Sequence, residues 1–209
     1  MALIPDALPV LSRGKHKNPS KGACFLEYTA LLAGEPFSDA PACVDRQLAA
    51  VLRHANDLLT DADRRRLVPL LGRAVGLVIR PPTADEGCAP RLGMTADQVD
   101  EAIGSFARTT AALHRRVAER FMDAIGVVLR RQELREYGDG RDLDRLFWFL
   151  MQKPRAVSSS PDYVGRLIDR LVLLHDCFEE ELLPLGLGPA PAEVPLAARV
   201  QDAEPAGPR

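Results

Sequence analysis

The chain lacks the short motifs that identify several common enzyme classes. None of its serines falls in a G-x-S-x-G elbow, and neither an H-E-x-x-H motif nor a dinucleotide-binding fingerprint occurs. The basic run RGKHKNPSKG, just before residue 23, also lacks the G-x-x-x-x-G-K-[ST] spacing of a nucleotide loop. The familiar hydrolase and oxidoreductase signatures are therefore missing.

An excess of positive charge and a long apolar run are missing as well. The net charge is −2, and only four of the 27 basic residues are lysines. This balance argues against a general electrostatic footprint for nucleic acid. No apolar run approaches the ~18–20 residues that a membrane-spanning helix needs. We therefore expect neither a nucleic-acid nor a membrane partner.

Cysteine is sparse and is not arranged in pairs. The four cysteines include no C-x-x-C motif, and the N-terminus does not resemble a signal peptide. Such a composition fits a reducing compartment better than a disulfide framework. The sequence therefore predicts a cytoplasmic protein with free thiols.

What is present is an ordinary soluble composition with strong helical periodicity. The chain has 209 residues, of which 46% are hydrophobic and 27% charged, enough for a sizeable core. We predict an all-α fold, a single helical domain of about six helices with one long central helix and flexible termini. The boundaries are a basic flexible arm over 1–21, the helical domain over 22–183 with a possible hinge at 80–94, and a disordered tail over 184–209.

Start and stop signals place the helices within this domain. Thr60 is a good N-cap, and Pro69 predicts a break near residues 67–68. The neighbouring run Arg64–Arg66 is interpreted as a solvated face. Thr95 and Gln98 form a capping-box pattern that opens the longest helix, which follows an apolar stripe to Val128 and is expected to reach about residue 134. The other predicted helices span about 45–59, 143–153 and 161–183.

The most unusual stretch is GACFLEYTALLAGEPFSDAPAC, residues 22–43. Residues 23–33 contain neither Gly nor Pro and predict a helix. Gly34 stands where helices commonly end in a left-handed residue, and Pro36 blocks continuation. Cys24 and Glu27 lie three residues apart, so both belong to one face near the start of that helix.

This stretch resembles a group of uncharacterised actinobacterial proteins, with relatives in phages of those bacteria, that share a GACxxEYxxxLAGExxSDxPxC-like pattern. The resemblance covers roughly residues 12–78 and implies no particular activity. In those relatives a histidine often occupies the position of Ala40. The matching residues are Gly22, Ala23, Cys24, Glu27, Tyr28, Leu32, Ala33, Gly34, Glu35, Ser38, Asp39, Pro41 and Cys43, with Gly14, His16 and Pro19 upstream.

Cys24 is the leading candidate for chemistry. A thiol in the first turn of a helix feels unpaired N–H groups that favour the thiolate, and Lys21 and His16 are near in sequence. Glu27 is then a candidate base or orienting group, which makes Cys24 and Glu27 the catalytic candidates. The alternative is that Cys24 is a small core residue, since free cysteine is among the most buried types.

A metal site is the second possibility for the same residues. Zinc accepts mixed sets of sulfur, nitrogen and oxygen ligands. The candidate ligands are His16, Cys24 and Cys43, with Asp39 or Glu27 as the fourth. The C-x18-C spacing matches no zinc-finger pattern. On the last helix, His175 and Glu179 are one turn apart, which is compatible with a metal pair or with a core histidine.

These patterns leave two functional hypotheses. The first is a cytoplasmic helical interaction or scaffold protein that binds a protein partner or self-associates, with the apolar LFWFLM helix (residues 146–151) as its partner face if that helix is not part of the core. The second is a small enzyme or a thiol- or zinc-dependent factor that uses Cys24 with Glu27, Asp39 and Cys43.

Overall fold

The fold is all-α, as the periodicity predicts. The computed structural model describes residues 10–80, 95–130, 132–133, 136, 142–151 and 161–186. Within these residues no strand occurs, and the only extended pairing is one isolated bridge. The helices are α1 (Phe25–Leu32), α2 (Arg46–Leu58), α3 (Asp61–Arg64), α4 (Val68–Ala74), α5 (Ala96–Ala124), α6 (Leu143–Met151) and α7 (Pro161–Leu182), with 3-10 turns at Pro19–Lys21, Arg65–Leu67 and Leu183–Leu185.

Local signals set most helix ends. The Thr60 side chain accepts the Asp63 N–H at the start of α3, and a 3-10 turn separates α3 from α4, which has Pro69 in its first turn. Thr95 and Gln98 form the predicted capping box of α5. Gly34 adopts φ 71° after α1, as expected. These predictions are confirmed because capping depends on residues only a few positions away.

The long helix is shorter than predicted. It ends at Ala124 and not near residue 134. Gly126 takes φ 66°, its N–H donates to the Asp123 carbonyl, and the Val127 N–H donates to the Met122 carbonyl. These two bonds form a Schellman motif, which satisfies the last carbonyls and turns the chain away. The apolar stripe continued past this point in sequence, so periodicity alone overestimated the helix.

The core forms where three helix pairs meet. α5 packs against α7, α2 packs against α6, and α1 packs against α4, which also contacts α7. The four fully buried phenylalanines come from four different helices, and one continuous core joins them. They are Phe25, Phe121, Phe147 and Phe178.

The LFWFLM segment of α6 is mainly part of this core, not an open partner face. Leu146, Phe147, Leu150 and Met151 are buried. Trp148 is half-buried, and its ring lies against His54 of α2 with the centroids 4.0 Å apart. The segment therefore takes the core position that the sequence left open as the alternative to a partner face, because α2 and the rest of the core cover most of it.

The N-terminal arm is attached to the domain from Val10 onward. Its residues pair with the start of α1 and with α2, as described below. The predicted hinge at residues 81–94 and the tail beyond residue 186 lie outside the described residues. Among the helices that the structure describes, none is both long enough and apolar enough to cross a bilayer.

Candidate functional site

The returning arm and the start of α1 are held together by backbone hydrogen bonds. Leu11 and Ala23 form a parallel bridge, in which the Ser12 N–H donates to the Ala23 carbonyl at 2.8 Å. Asn56 of α2 joins both segments. Its amide donates to the Ser12 carbonyl at 3.1 Å, and its Oδ1 accepts the Phe25 N–H at 3.2 Å. The buried Asn56 therefore fixes residue 12 relative to the first turn of α1.

Cys24 and Glu27 form the capping box of α1. The Glu27 N–H donates to Cys24 Sγ at 3.5 Å, and Glu27 Oε2 accepts the Cys24 N–H at 2.8 Å. A cysteine thus occupies the position that serine or threonine usually takes. The face shared by the two residues is confirmed, and its immediate role is to close the helix N-terminus.

Glu27 also binds His16, which in turn contacts Ser12. Glu27 Oε1 accepts the His16 backbone N–H at 2.6 Å, and Oε2 lies 2.8 Å from His16 Nδ1. His16 Nε2 lies 3.0 Å from Ser12 Oγ. The carboxylate is fully buried, whereas the His16 side chain is 14% exposed. The side chains of Ser12, His16 and Glu27 therefore form a hydrogen-bonded series that leads from the surface into the core.

Gly22 lies directly beside the Ser12 and His16 side chains. Its φ of 108° is unfavourable for a residue with a side chain. A Cβ placed there would lie 2.3 Å from Ser12 Oγ and 3.4 Å from His16 Nε2. Glycine is therefore required twice, for the backbone conformation and for the space beside the serine hydroxyl.

The three cysteines among the described residues are buried thiols. Cys24, Cys43 and Cys177 are free and buried. Burial raises the pKa of Cys24 to about 12, and it raises the pKa of Cys43 to about 12 as well. The helix N-terminus predicted the opposite for Cys24, a lowered pKa that favours the thiolate. The reason is desolvation, which outweighs the N–H groups of the first turn.

The proposed zinc ligands do not converge on one point. Asp39 forms an ion pair with Lys15 at 2.8 Å, and the hydrogen bond from Lys15 is the main cause that lowers the pKa of Asp39. Cys43 neighbours Glu35, whose carboxylate also accepts the Ala42 N–H at 2.7 Å. In the part of the chain that the structure describes, no group of three or more His, Cys, Asp or Glu side chains is placed to hold a metal.

A second buried network joins three helices. His114 of α5 lies with Nε2 2.8 Å from Asp45 Oδ2 at the start of α2, and both side chains are buried. The same Asp45 caps α2 by accepting N–H groups of Gln47 and Leu48. The Gln47 side-chain oxygen accepts the Leu143 N–H at the start of α6. Sequence analysis did not connect these residues, because 69 positions separate Asp45 from His114.

The N-terminal half of α5 carries an apolar stripe that the rest of the described chain does not bury. No residue from 97 to 112 is buried, and Ile103 is 59% exposed. Val99, Ile103 and Phe106 share one face at helical spacing. The same stripe continues into Leu113 and Val117, which are fully buried. The stripe therefore changes from exposed to buried within a single helix.

Known proteins offer no match. Neither the family models, nor the curated proteins, nor the solved structures include one that matches this chain. The functional argument therefore depends on the residues themselves.

Proposed function

We propose that this chain is a cytoplasmic helical interaction protein that binds a second copy of itself through the N-terminal half of α5. The observation that carries the proposal is the apolar stripe of Val99, Ile103 and Phe106, in which Val99 is 37% and Ile103 59% exposed while Phe106 is half-buried. The stripe continues into Leu113 and Val117, which are buried in the core. Its exposed part therefore has the same kind of apolar residues as a surface that packs against another helix. Exposed apolar faces of this kind typically mark sites of protein association.

Charge along α5 favours an antiparallel copy as the occupant. Acidic Asp97 and Asp100 lie near the N-terminal end of the helix and basic Arg115 lies further along, whereas Arg108 already pairs with Glu101 of its own helix at 2.7 Å. Two copies that cross near residue 106 in opposite directions would place acidic segments against basic ones. The same patch then meets itself across a twofold axis, which is the commonest symmetry of homo-oligomers.

The cytoplasmic part of the proposal is supported by the thiols. Cys24, Cys43 and Cys177 are free, and none of them is paired in a disulfide. Buried unpaired cysteines persist most readily in a reducing compartment.

The interface prediction is tested with an acidic substitution in the stripe. Ile103→Asp should weaken self-association by roughly tenfold to a hundredfold, because burying an isoleucine stabilises by about 1.5–3 kcal/mol. Val128→Asp is the matched control, since Val128 is 93% exposed and lies beyond the end of α5. Sedimentation equilibrium over a wide concentration range measures both.

Two results would contradict this proposal. One is a wild-type protein that stays monomeric up to millimolar concentration. The other is a dimer that Ile103→Asp and Val128→Asp weaken equally, since the contact would then lie elsewhere. Circular dichroism checks that both variants keep the helical fold, as expected for changes at exposed positions.

A further inference from the structure

Ser12, His16 and Glu27 have the relative arrangement of a nucleophile, a base and the carboxylate that orients the base. The Ser12 Oγ to His16 Nε2 distance is 3.0 Å, and the His16 Nδ1 to Glu27 Oε2 distance is 2.8 Å. We propose that these three residues form a catalytic triad for acyl transfer, with Ser12 as the nucleophile and small acyl esters as substrates. The proposal is independent of self-association through α5.

The hydrogen-bond directions follow from the carboxylate. An ionised Glu27 can only accept, so the proton on the His16 ring that faces it must be on Nδ1. Neutral His16 then has its lone pair on Nε2, which is an acceptor for the Ser12 hydroxyl at 3.0 Å and closer to it than the Val10 carbonyl, the other acceptor, at 3.4 Å. This is the tautomer that a general base requires before it removes a proton from serine.

The base is held rigidly at both its backbone and its ring. Glu27 Oε1 accepts the His16 main-chain N–H at 2.6 Å while Oε2 binds the ring. Glu27 is itself fixed by the Cys24 N–H within the capping box. A capping box requires only the bond to residue 24, so the two additional bonds to His16 are not explained by helix capping.

Access to the serine comes from its position and from Gly22. Ser12 is half-buried at the edge of the arm, and the neighbouring Gly22 has no side chain to cover the hydroxyl. Any Cβ at residue 22 would collide with Ser12 Oγ. Because Ser12 is only half-buried, a small ester would approach its hydroxyl from solvent.

The reaction is balanced as follows. Ser12 Oγ forms a bond to the ester carbonyl carbon while its proton passes to His16 Nε2. The tetrahedral intermediate expels the alcohol, which takes the proton from Nε2, and an acyl-Ser12 ester remains. Water then loses a proton to Nε2 and attacks the acyl carbon, and the acid is released as Ser12 regains the proton. Glu27 keeps its charge throughout and stabilises the imidazolium.

The first experiment measures covalent modification of Ser12. Full-length protein is treated with diisopropyl fluorophosphate, which forms an Oγ–P bond and releases fluoride, and the peptides are mapped by mass spectrometry. We expect an adduct on Ser12 and none on Ser20, an exposed serine of the same arm whose hydroxyl faces Asn18. Ser20→Ala is the matched control for Ser12→Ala, which keeps both backbone bonds of residue 12.

The second experiment tests the base. His16→Gln should slow both labelling and 4-nitrophenyl acetate hydrolysis by about 100-fold or more, the usual contribution of general base catalysis. In the wild type the labelling rate should rise with pH and then reach a plateau, which a merely structural histidine would not produce. Folded wild-type protein whose Ser12 is not modified, or Ser12→Ala protein that hydrolyses the ester at the wild-type rate, would overturn the proposal.

Discussion

At the residue scale, Arg64 shows how burial can override a pattern. Sequence analysis assigned the run of three arginines to a solvated face, yet Arg64 is only 1% exposed, and that assignment is wrong for this residue. Its guanidinium donates to the Asn56 carbonyl at 2.9 Å, to the Leu59 carbonyl at 2.7 Å and to Asp61 at 2.5 Å. It therefore satisfies carbonyls at the end of α2 that have no helical partner.

Removal of this side chain should destabilise the fold. Arg64→Ala leaves two buried carbonyls without donors, so we expect a loss of about 2–4 kcal/mol in the free energy of unfolding. The neighbouring exposed Arg65→Ala should change it by less than about 0.5 kcal/mol. Urea denaturation followed by circular dichroism measures both values. Equal effects of the two substitutions would show that the hydrogen bonds of Arg64 contribute nothing specific.

At the scale of an element, one glycine inside α5 and one just beyond its C-terminal end have different roles. Gly126 lies in the Schellman motif at φ 66°, with no atom within 4 Å of a Cβ added there. Gly104 lies in the helix interior, where an added Cβ would be 3.3 Å from the guanidinium of Arg108, a mobile side-chain end. The end of the helix therefore depends on backbone conformation at Gly126, whereas Gly104 only weakens its interior.

Alanine at the two positions should have opposite effects. Gly126→Ala should destabilise by about 1–2 kcal/mol because a left-handed conformation is unfavourable for a residue with a Cβ. Gly104→Ala should stabilise by about 0.5–1 kcal/mol because it reduces the backbone entropy of the unfolded chain, while Arg108 shifts aside. Thermal and urea unfolding measure whether each substitution raises or lowers the free energy of unfolding. A stabilising Gly126→Ala would contradict the assigned helix end.

At the scale of the whole molecule, α7 is tied to α4 around a buried histidine. Arg73 of α4 binds Asp176 at 2.6 Å and Glu179 at 2.9 Å. His175 lies fully buried, with Nδ1 2.7 Å from the Leu171 carbonyl, and its Nε2 has no hydrogen-bond partner among the described residues. Glu179, a candidate partner for His175 in sequence, is instead engaged by Arg73. His175 is therefore a core histidine, as the alternative interpretation held.

This histidine should make the fold sensitive to acid. Desolvation by burial lowers the pKa of His175 from 6.5 to about 4 in the folded state. The unfolded chain therefore takes up the proton first as the pH falls, and protonation favours unfolding. The stability linked to His175 is complete above about pH 6.5 and is lost as the pH falls toward 4, with a total of about 3 kcal/mol.

Urea midpoints measured from pH 8 to pH 4 test this dependence, for which His175→Gln is the informative variant. Glutamine does not titrate and can still donate to the Leu171 carbonyl, so its stability should fall less steeply over this range. His54→Gln, which removes an exposed histidine, is the control and should retain the wild-type slope. Identical slopes for wild type and His175→Gln would rule out His175 as the source.

The sequence by itself determined the features that depend on neighbouring residues. The all-α class, the start of α5 at Thr95, the stop at Gly34 and the break before Pro69 all follow from capping and backbone preferences within a few positions. The shared face of Cys24 and Glu27 belongs to the same category, since helical spacing alone places it.

Only the tertiary structure decided which of these residues meet. Asn56 must bring the arm to α1 before Ser12, His16 and Glu27 can align, and no sequence spacing encodes that contact. The raised pKa of Cys24 likewise depends on burial by distant helices. The apolar stripe of α5 runs through both its exposed and its buried half, so the difference between the halves comes from packing against other helices and not from the spacing. Periodicity records which faces are apolar, whereas packing determines which of those faces are covered.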